Sequence, residues 1–428
     1  MAFVDLADVV LESGARSIAI VGTAKNVGKT VTLNYLVGEL SSRGYTLGLL
    51  SSGRDGERVD VLTGEPKPQV YLPRGSWVAT AEAFLEGASI SLEVVDVWER
   101  PGVFGRLVLG RVVEPGLAEL MGPRSARQLS SAVKKFLAYG ADIVLVDGAL
   151  DRKAAASPLV TEACILATGA SSADDLNSMV ETLESLVWAW SLPELEDALV
   201  AKLGARAVEK ERVALLKLGG SGRGDAPGRP VLVFTEYPTA LNYEEDIAQE
   251  IDESTLALVV PGSVDRVLLQ EVTASLAQLR AGARGGIHRG PGATAGSRCG
   301  RSHEGTKSGR NPLLEVDRAL AILDGTREGR LVADRAGSSS PERLPFYLVM
   351  RDPSCAMFRR EQAVPLERTG GQLRVLERGR VLAVTINPCS SGEMVYEPRK
   401  LVRYIGEKVK PVPVFDVVSG ESFWEEVA

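Results

Sequence analysis

Residues 21–36 read VGTAKNVGKTVTLNYL, and no other stretch of the chain limits the fold as much. The apolar run SIAIVG precedes it, and from about Lys29 to Ser42 the apolar residues recur at helical spacing. A buried strand, a glycine-rich turn and a helix in that order form an anion site, because the turn amides and the helix N-terminus converge on one point. Against the spacing Gly-x4-Gly-Lys-Ser/Thr, Thr23 falls on the first glycine position and Gly22 lies just before it. The loop Thr23, Ala24, Lys25, Asn26, Val27, Gly28, Lys29, Thr30 and Val31 is therefore the expected nucleotide contact. Its amides would cradle the β-phosphate, Lys29 would reach the β- and γ-phosphates, and Thr30 would hold Mg²⁺.

Two further strand ends belong with that loop. DIVLVDGAL is an apolar strand ending in Asp147, suited to hold a magnesium-bound water opposite Thr30; read blandly, it is a strand closed by an Asp-Gly turn. GYTLGLLSS ends in SSGRDGERVD, where Asp55 or Glu57 could touch magnesium or activate water and Arg54 could meet phosphate; the alternative is a polar turn punctuated by Gly53 and Gly56. Asp55, Asp147 and Lys29 form the expected catalytic set, with Thr30, Asp55 and Asp147 as the metal ligands. Asp151, Arg152 and Lys153 follow just past Asp147, and Arg152 reads equally as a phosphate contact or as part of a solvated charge run. The guanine-reading pattern Asn-Lys-x-Asp is absent, which favours ATP over GTP. Trp188 and Trp190 could stack on a base, although core packing is the simpler reading.

Strands alternating with helices imply an α/β fold built on a doubly wound, mostly parallel sheet. At 428 residues the chain exceeds a single core. The expected division is residues 1–220 as the nucleotide domain, 221–280 as an α/β continuation, 281–340 as a linker or disordered insertion, and 341–428 as a smaller C-terminal α/β domain. Residues 281–310 hold nine glycines and five arginines with almost no aliphatics, too little apolar surface to offset ordering entropy. The helix SADDLNSMVETLESLVWAWS is expected to be capped by Ser172.

A formal charge of −7 argues against a general nucleic-acid binder. No apolar run approaches the roughly 20 residues needed to span a bilayer, and MAFVDLADVVLESGARS carries acids where a signal peptide needs bases. The expected compartment is the cytoplasm. Cys164, Cys299, Cys355 and Cys389 show no CxxC spacing, so isolated thiols are expected. The only histidines, His288 and His303, lie in the Gly/Arg/Ser-rich stretch, which argues against His-based triads and metal sites.

The loop VGTAKNVGKT resembles that of dethiobiotin synthetase and cobyric acid synthase, members of the P-loop NTPase class that includes the MinD/ParA ATPases. The MinD-type signature lysine would fall at Ala24, and Lys25 is one place later. Dethiobiotin synthetase carries Lys-Pro-Val after its second strand, where this chain reads SSGRDGE. A longer likeness combines the loop with SSGRDGE, TGEPKPQVYLPRGSWVATAEAFL, VLGRVVEPGLAELMGP, VLVDGALDRKAAASP, ILATGAS and TINPCSSGEMVYEPRKL. Together these look like the P-loop subunit associated with reactivation of adenosylcobalamin-dependent lysine aminomutase. That resemblance implies an ATP- and Mg²⁺-dependent accessory ATPase whose partners are the aminomutase, a partner ATPase subunit or a second copy of the chain. The alternative is a ligase working through an activated phosphate intermediate, with Arg54, Lys67 and Arg74 available for its substrate.

Overall fold

The computed structural model describes residues 5–52, 69–85, 88–102, 105–123, 125–149, 155–173, 175–219, 230–284, 345–390 and 393–424. Its frame is a ten-stranded sheet. Across it the order is Glu421–Phe423, Val414–Asp416, Val381–Asn387, Ala163–Gly169, Ser17–Gly22, Ile143–Ala149, Leu47–Ser51, Trp77–Ala81, Gly105–Glu114 and Ser91–Gly102. The seven strands from Val414–Asp416 to Trp77–Ala81 run parallel. Glu421–Phe423 closes one edge and the Gly105–Glu114/Ser91–Gly102 ribbon closes the other, all antiparallel. The fold is α/β with a large, mostly parallel sheet, as the strand–helix alternation implied.

The central strand Ser17–Gly22 is buried along its whole length, the state a strand reaches when both faces are covered. Ile18 and Ile20 pack with Leu33, Leu36, Val37 and Leu40 of the helix Lys29–Ser42. Ala19 and Val21 face the opposite way, into a core shared with a second sheet. That second sheet has five strands, ordered Pro230–Phe234, Ala214–Leu218, Thr255–Val260, Phe346–Met350 and Gly371–Val375. Leu215, Leu258 and Leu348 on one of its faces join the shared core, while Ala214, Leu216, Ala257 and Val349 cover the helix Ala198–Glu209 on the other.

The expected division of the chain changes accordingly. Ala214–Leu218, before residue 220, pairs on both sides with strands after it, Pro230–Phe234 and Thr255–Val260, so that boundary cuts through one sheet. The 341–428 stretch is likewise divided: Phe346–Met350 and Gly371–Val375 belong to the second sheet, whereas Val381–Asn387 onward completes the first. Residues 281–284 still belong to the helix Arg266–Arg284, and the rest of the 281–340 segment lies outside the described residues. The helix after Ala163–Gly169 starts at Leu176, capped by Asp175, whose carboxylate accepts from the Ser178 amide at 2.9 Å. Ser172 instead donates to the Gly169 carbonyl at 2.7 Å. Trp188 meets Phe358 edge-on and Trp190 is buried, so both serve the core. Among the described residues no helix is long and apolar enough to cross a membrane.

The sheet order generates a test. Ending the chain at Arg380 would strip Ala163–Gly169 of its outer neighbour and open an edge beside Cys164, Ile165, Leu166 and Ala167, all 0% exposed. The truncated protein should aggregate or bind a hydrophobic dye strongly. A soluble monomer with an unchanged near-UV spectrum would contradict the pairing.

Candidate functional site

The glycine-rich loop leaves the carboxyl end of the central strand, between Ala163–Gly169 and Ile143–Ala149. Its start is fixed by the Thr23 amide, which donates to the Ala167 carbonyl at 2.8 Å. Val27 is buried beneath the loop, whereas Lys25 and Asn26 are exposed. Asn26 and Gly28 adopt positive φ, 58° and 89°, which turns the chain sharply enough to start the helix at Lys29. The first-turn amides of an α-helix lack intrahelical acceptors, and Gly28 at the N-cap supplies no side chain to take them. No acid sits in that first turn.

Lys29 folds back across the loop, its Nζ donating to the Ala24 carbonyl at 3.2 Å. Gly22 makes this path possible: a Cβ there would lie 2.7 Å from Lys29 Cδ and 2.8 Å from Val27 Cγ2. Thus the glycine one place before the expected position has its own steric reason. Thr23, Ala24, Gly28, Lys29 and Thr30 are half-buried, and Val31, at 46% exposure, is on the outer side of the helix.

Asp147 lies on the neighbouring strand, paired in register with Ile20 on one side and Ser51 on the other. Its carbonyl also accepts from the Ser52 amide at 2.8 Å, which holds the end of the second strand beside it. Asp147 and the 22–31 loop therefore share the carboxyl edge of the sheet, where ligands bind in open α/β folds. Asp55 lies outside the described residues, as do Arg54, Glu57, Lys67, Asp151, Arg152 and Lys153. Arg74 precedes Trp77–Ala81, a strand parallel to Leu47–Ser51, so it stands at the amino edge, opposite the loop. It is not brought to the site.

Several site residues come from places that local patterns do not connect. Thr32, on the loop's helix, hydrogen-bonds Thr385 of the returning C-terminal strand at 2.8 Å, with both residues buried. Asn387, at the end of that strand, has its Cβ 3.2 Å from where a Gly28 Cβ would stand, and its amide donates to the Asn26 carbonyl at 3.4 Å. A row of hydroxyls borders the loop: Thr23 donates to Thr168 at 3.0 Å, and Ser171 donates to Ser390 at 3.3 Å. Asn34, one turn past Thr30, donates to the Gln69 carbonyl at 3.2 Å and accepts from the Tyr71 amide at 3.1 Å. A polar Asn inside a helix was the available hint for that last contact. The apolar run ending in Asn387-Pro388 marks a strand end, yet nothing in it names its neighbour.

No family model, curated protein or solved structure matches the chain.

Among the described residues three cysteines are free thiols. Burial pushes Cys164 up to about 12 and Cys355 up to about 11, leaving little thiolate at neutral pH. Cys389 is half-buried and sits beside Asn387, whose side-chain oxygen accepts from its amide at 3.1 Å. Iodoacetamide at pH 8 followed by peptide mass spectrometry should label Cys389 well before Cys164 or Cys355. Equal labelling of Cys164 in the folded protein would contradict the core assignment of its strand.

Proposed function

We propose that the chain is an ATP-binding and ATP-hydrolysing accessory protein, with the nucleotide seated on residues 23–31 and its turnover used to act on a partner protein. The observation that carries the reading is Lys29 folded over a loop in which Gly22 leaves no room for a Cβ, one strand away from Asp147. A strand, a tight turn with two positive-φ residues, and an uncapped helix N-terminus are the parts that phosphate binding needs. On this reading a phosphate would replace the Ala24 carbonyl as the partner of Lys29 Nζ, and the first-turn amides would take its remaining oxygens.

The metal follows from the same donors. Among the described residues no group of three His, Cys, Asp or Glu side chains could hold an ion by themselves. A Thr30 hydroxyl and an Asp147 carboxylate are hard oxygen donors, the kind that holds Mg²⁺ together with nucleotide phosphates and water rather than in an all-protein cage. When bound, Mg²⁺ would be held by Thr30 and Asp147 and would neutralise charge on the nucleotide phosphates. Asp147 would orient its water shell, with Asp55 the second candidate from sequence. ATP is preferred because the guanine-reading pattern is absent. Asn387 and the hydroxyls of Thr168, Ser171 and Ser390 line the flank of the loop on which the nucleoside half would lie.

The resemblance to the lysine aminomutase reactivation subunit supplies the partner: the cobalamin-dependent aminomutase, with a partner ATPase subunit or a second copy of this chain. Arg74 at the opposite edge removes one of the basic residues that a ligase pocket would have used. The cytoplasm is the matching compartment. The test follows phosphate release from Mg·ATP with and without inactivated aminomutase, together with return of mutase activity. Aminomutase-stimulated turnover is expected. Turnover that requires a small amine or carboxylic acid instead would overturn the accessory role. Lys29→Ala should lower turnover by at least about 100-fold, the scale of losing a key transition-state donor, with its circular-dichroism spectrum unchanged.

A further inference from the structure

The described residues from Ala155 onward lead into the strand Ala163–Gly169. The turn from Ala155 to Thr161 is tightly braced. Ser157 accepts at its carbonyl from the Val160 amide at 2.8 Å and the Thr161 amide at 3.1 Å. Thr161 Oγ1 closes the turn on the Ala155 carbonyl at 2.7 Å. Ala155 and Ser157 are both 0% exposed. The turn packs directly on the residue after Asp147, since a Cβ added at Gly148 would sit 2.9 Å from Ala155 Cβ.

On its other side the turn meets a buried charge. Asp352, at the carboxyl end of the second-sheet strand Phe346–Met350, is 0% exposed. Its carboxylate accepts from Ser157 Oγ at 2.8 Å, from Arg351 Nε at 2.8 Å and from the Ser354 amide at 2.8 Å. Arg351 is itself held above its ordinary value: burial works against its charge, and the neighbouring Cys355 and Asp352 outweigh it. A carboxylate taken wholly out of water is expensive unless each oxygen is satisfied in good geometry. Ser157 is the one of these donors that comes from the first sheet's side. An apolar core contact would have joined the two sheets at lower cost in charge desolvation, but it would not have fixed the turn to one position.

We propose that Ser157 and Asp352 are positioning residues for the metal-bearing strand end, and that through them the second sheet sets the Mg²⁺ affinity of the nucleotide site. The proposal rests on the nucleotide reading given above. Asp352 fixes Ser157, the braced turn carries that position to Ala155, and Ala155 abuts Gly148 next to Asp147. Groups that hold a metal ligand from behind govern metal affinity even though they never touch the ion.

The test uses a fluorescent, non-hydrolysable ATP analogue on the full chain, titrated with and without Mg²⁺. Ser157→Ala should raise the Mg²⁺ concentration for half-maximal enhancement about tenfold, while analogue affinity in EDTA stays as in wild type. Ser157→Thr, which keeps the hydroxyl, should restore much of the loss. Asp352→Asn should shift the Mg²⁺ dependence in the same direction wherever it folds. A Ser157→Ala protein with wild-type Mg²⁺ dependence overturns the proposal, as does one that loses affinity equally with and without Mg²⁺, which marks a purely structural role. A wild-type chain that binds the analogue under neither condition overturns the nucleotide reading itself.

Discussion

The space missing at Gly22 governs the architecture around the site. With any larger residue, Lys29 or Val27 would have to shift from the positions they hold, because side-chain atoms of both lie within 2.8 Å of where a Cβ would be. The loop can be this tight only because the strand that launches it is clamped on both sides, by Ile143–Ala149 and Ala163–Gly169, over six fully buried residues. A rigid central strand lets two positive-φ residues turn the chain within the loop, at Asn26 and Gly28. The helix N-terminus then points back over the sheet edge. Preorganisation of this kind matters for phosphate chemistry, where the protein contributes position and charge more than covalent steps.

The C-terminal return is the second organising feature. The strand Val381–Asn387 joins the first sheet beside Ala163–Gly169; Asn387 at its end touches the loop and Thr385 touches the helix that follows it. The backbones come very close there, since a Cβ on Gly169 would stand 2.4 Å from the Asn387 carbonyl oxygen. The second sheet is thus threaded between two visits of the chain to the first, and a core runs between them from Val21 and Val146 to Leu258 and Met350. Motion or ligand binding in one sheet has a packed route to the other, which the proposed action on a partner protein would require.

Local chemistry was legible in the sequence, and long-range pairing was not. The loop, the helix Lys29–Ser42 and the strand bearing Asp147 each announce themselves through apolar period and turn residues; the structure has them there, with the strand running on through Gly148 to Ala149 instead of ending at Asp147. The same signals place a strand at 381–387 but cannot say that it pairs with 163–169 rather than with 371–375, because apolar period marks a strand without naming its neighbour. Ser172 failed as a cap for a related reason: Ser and Asp three residues apart are both competent, and the Gly169 carbonyl captured the serine. Ser157 and Asp352 carry no local signature at all. A serine in an alanine-rich turn and an aspartate before a proline read as ordinary turn residues until the fold buries them together.

The central claim is that the 22–31 loop holds a magnesium nucleotide. Isothermal titration of the purified full chain with Mg·ATP tests it most directly. Saturable one-site binding in the micromolar range, lost in Lys29→Ala and retained in Lys202→Ala, an exposed lysine on the helix Ala198–Glu209, is the predicted result. Absence of binding, or binding indifferent to Lys29, would contradict the account.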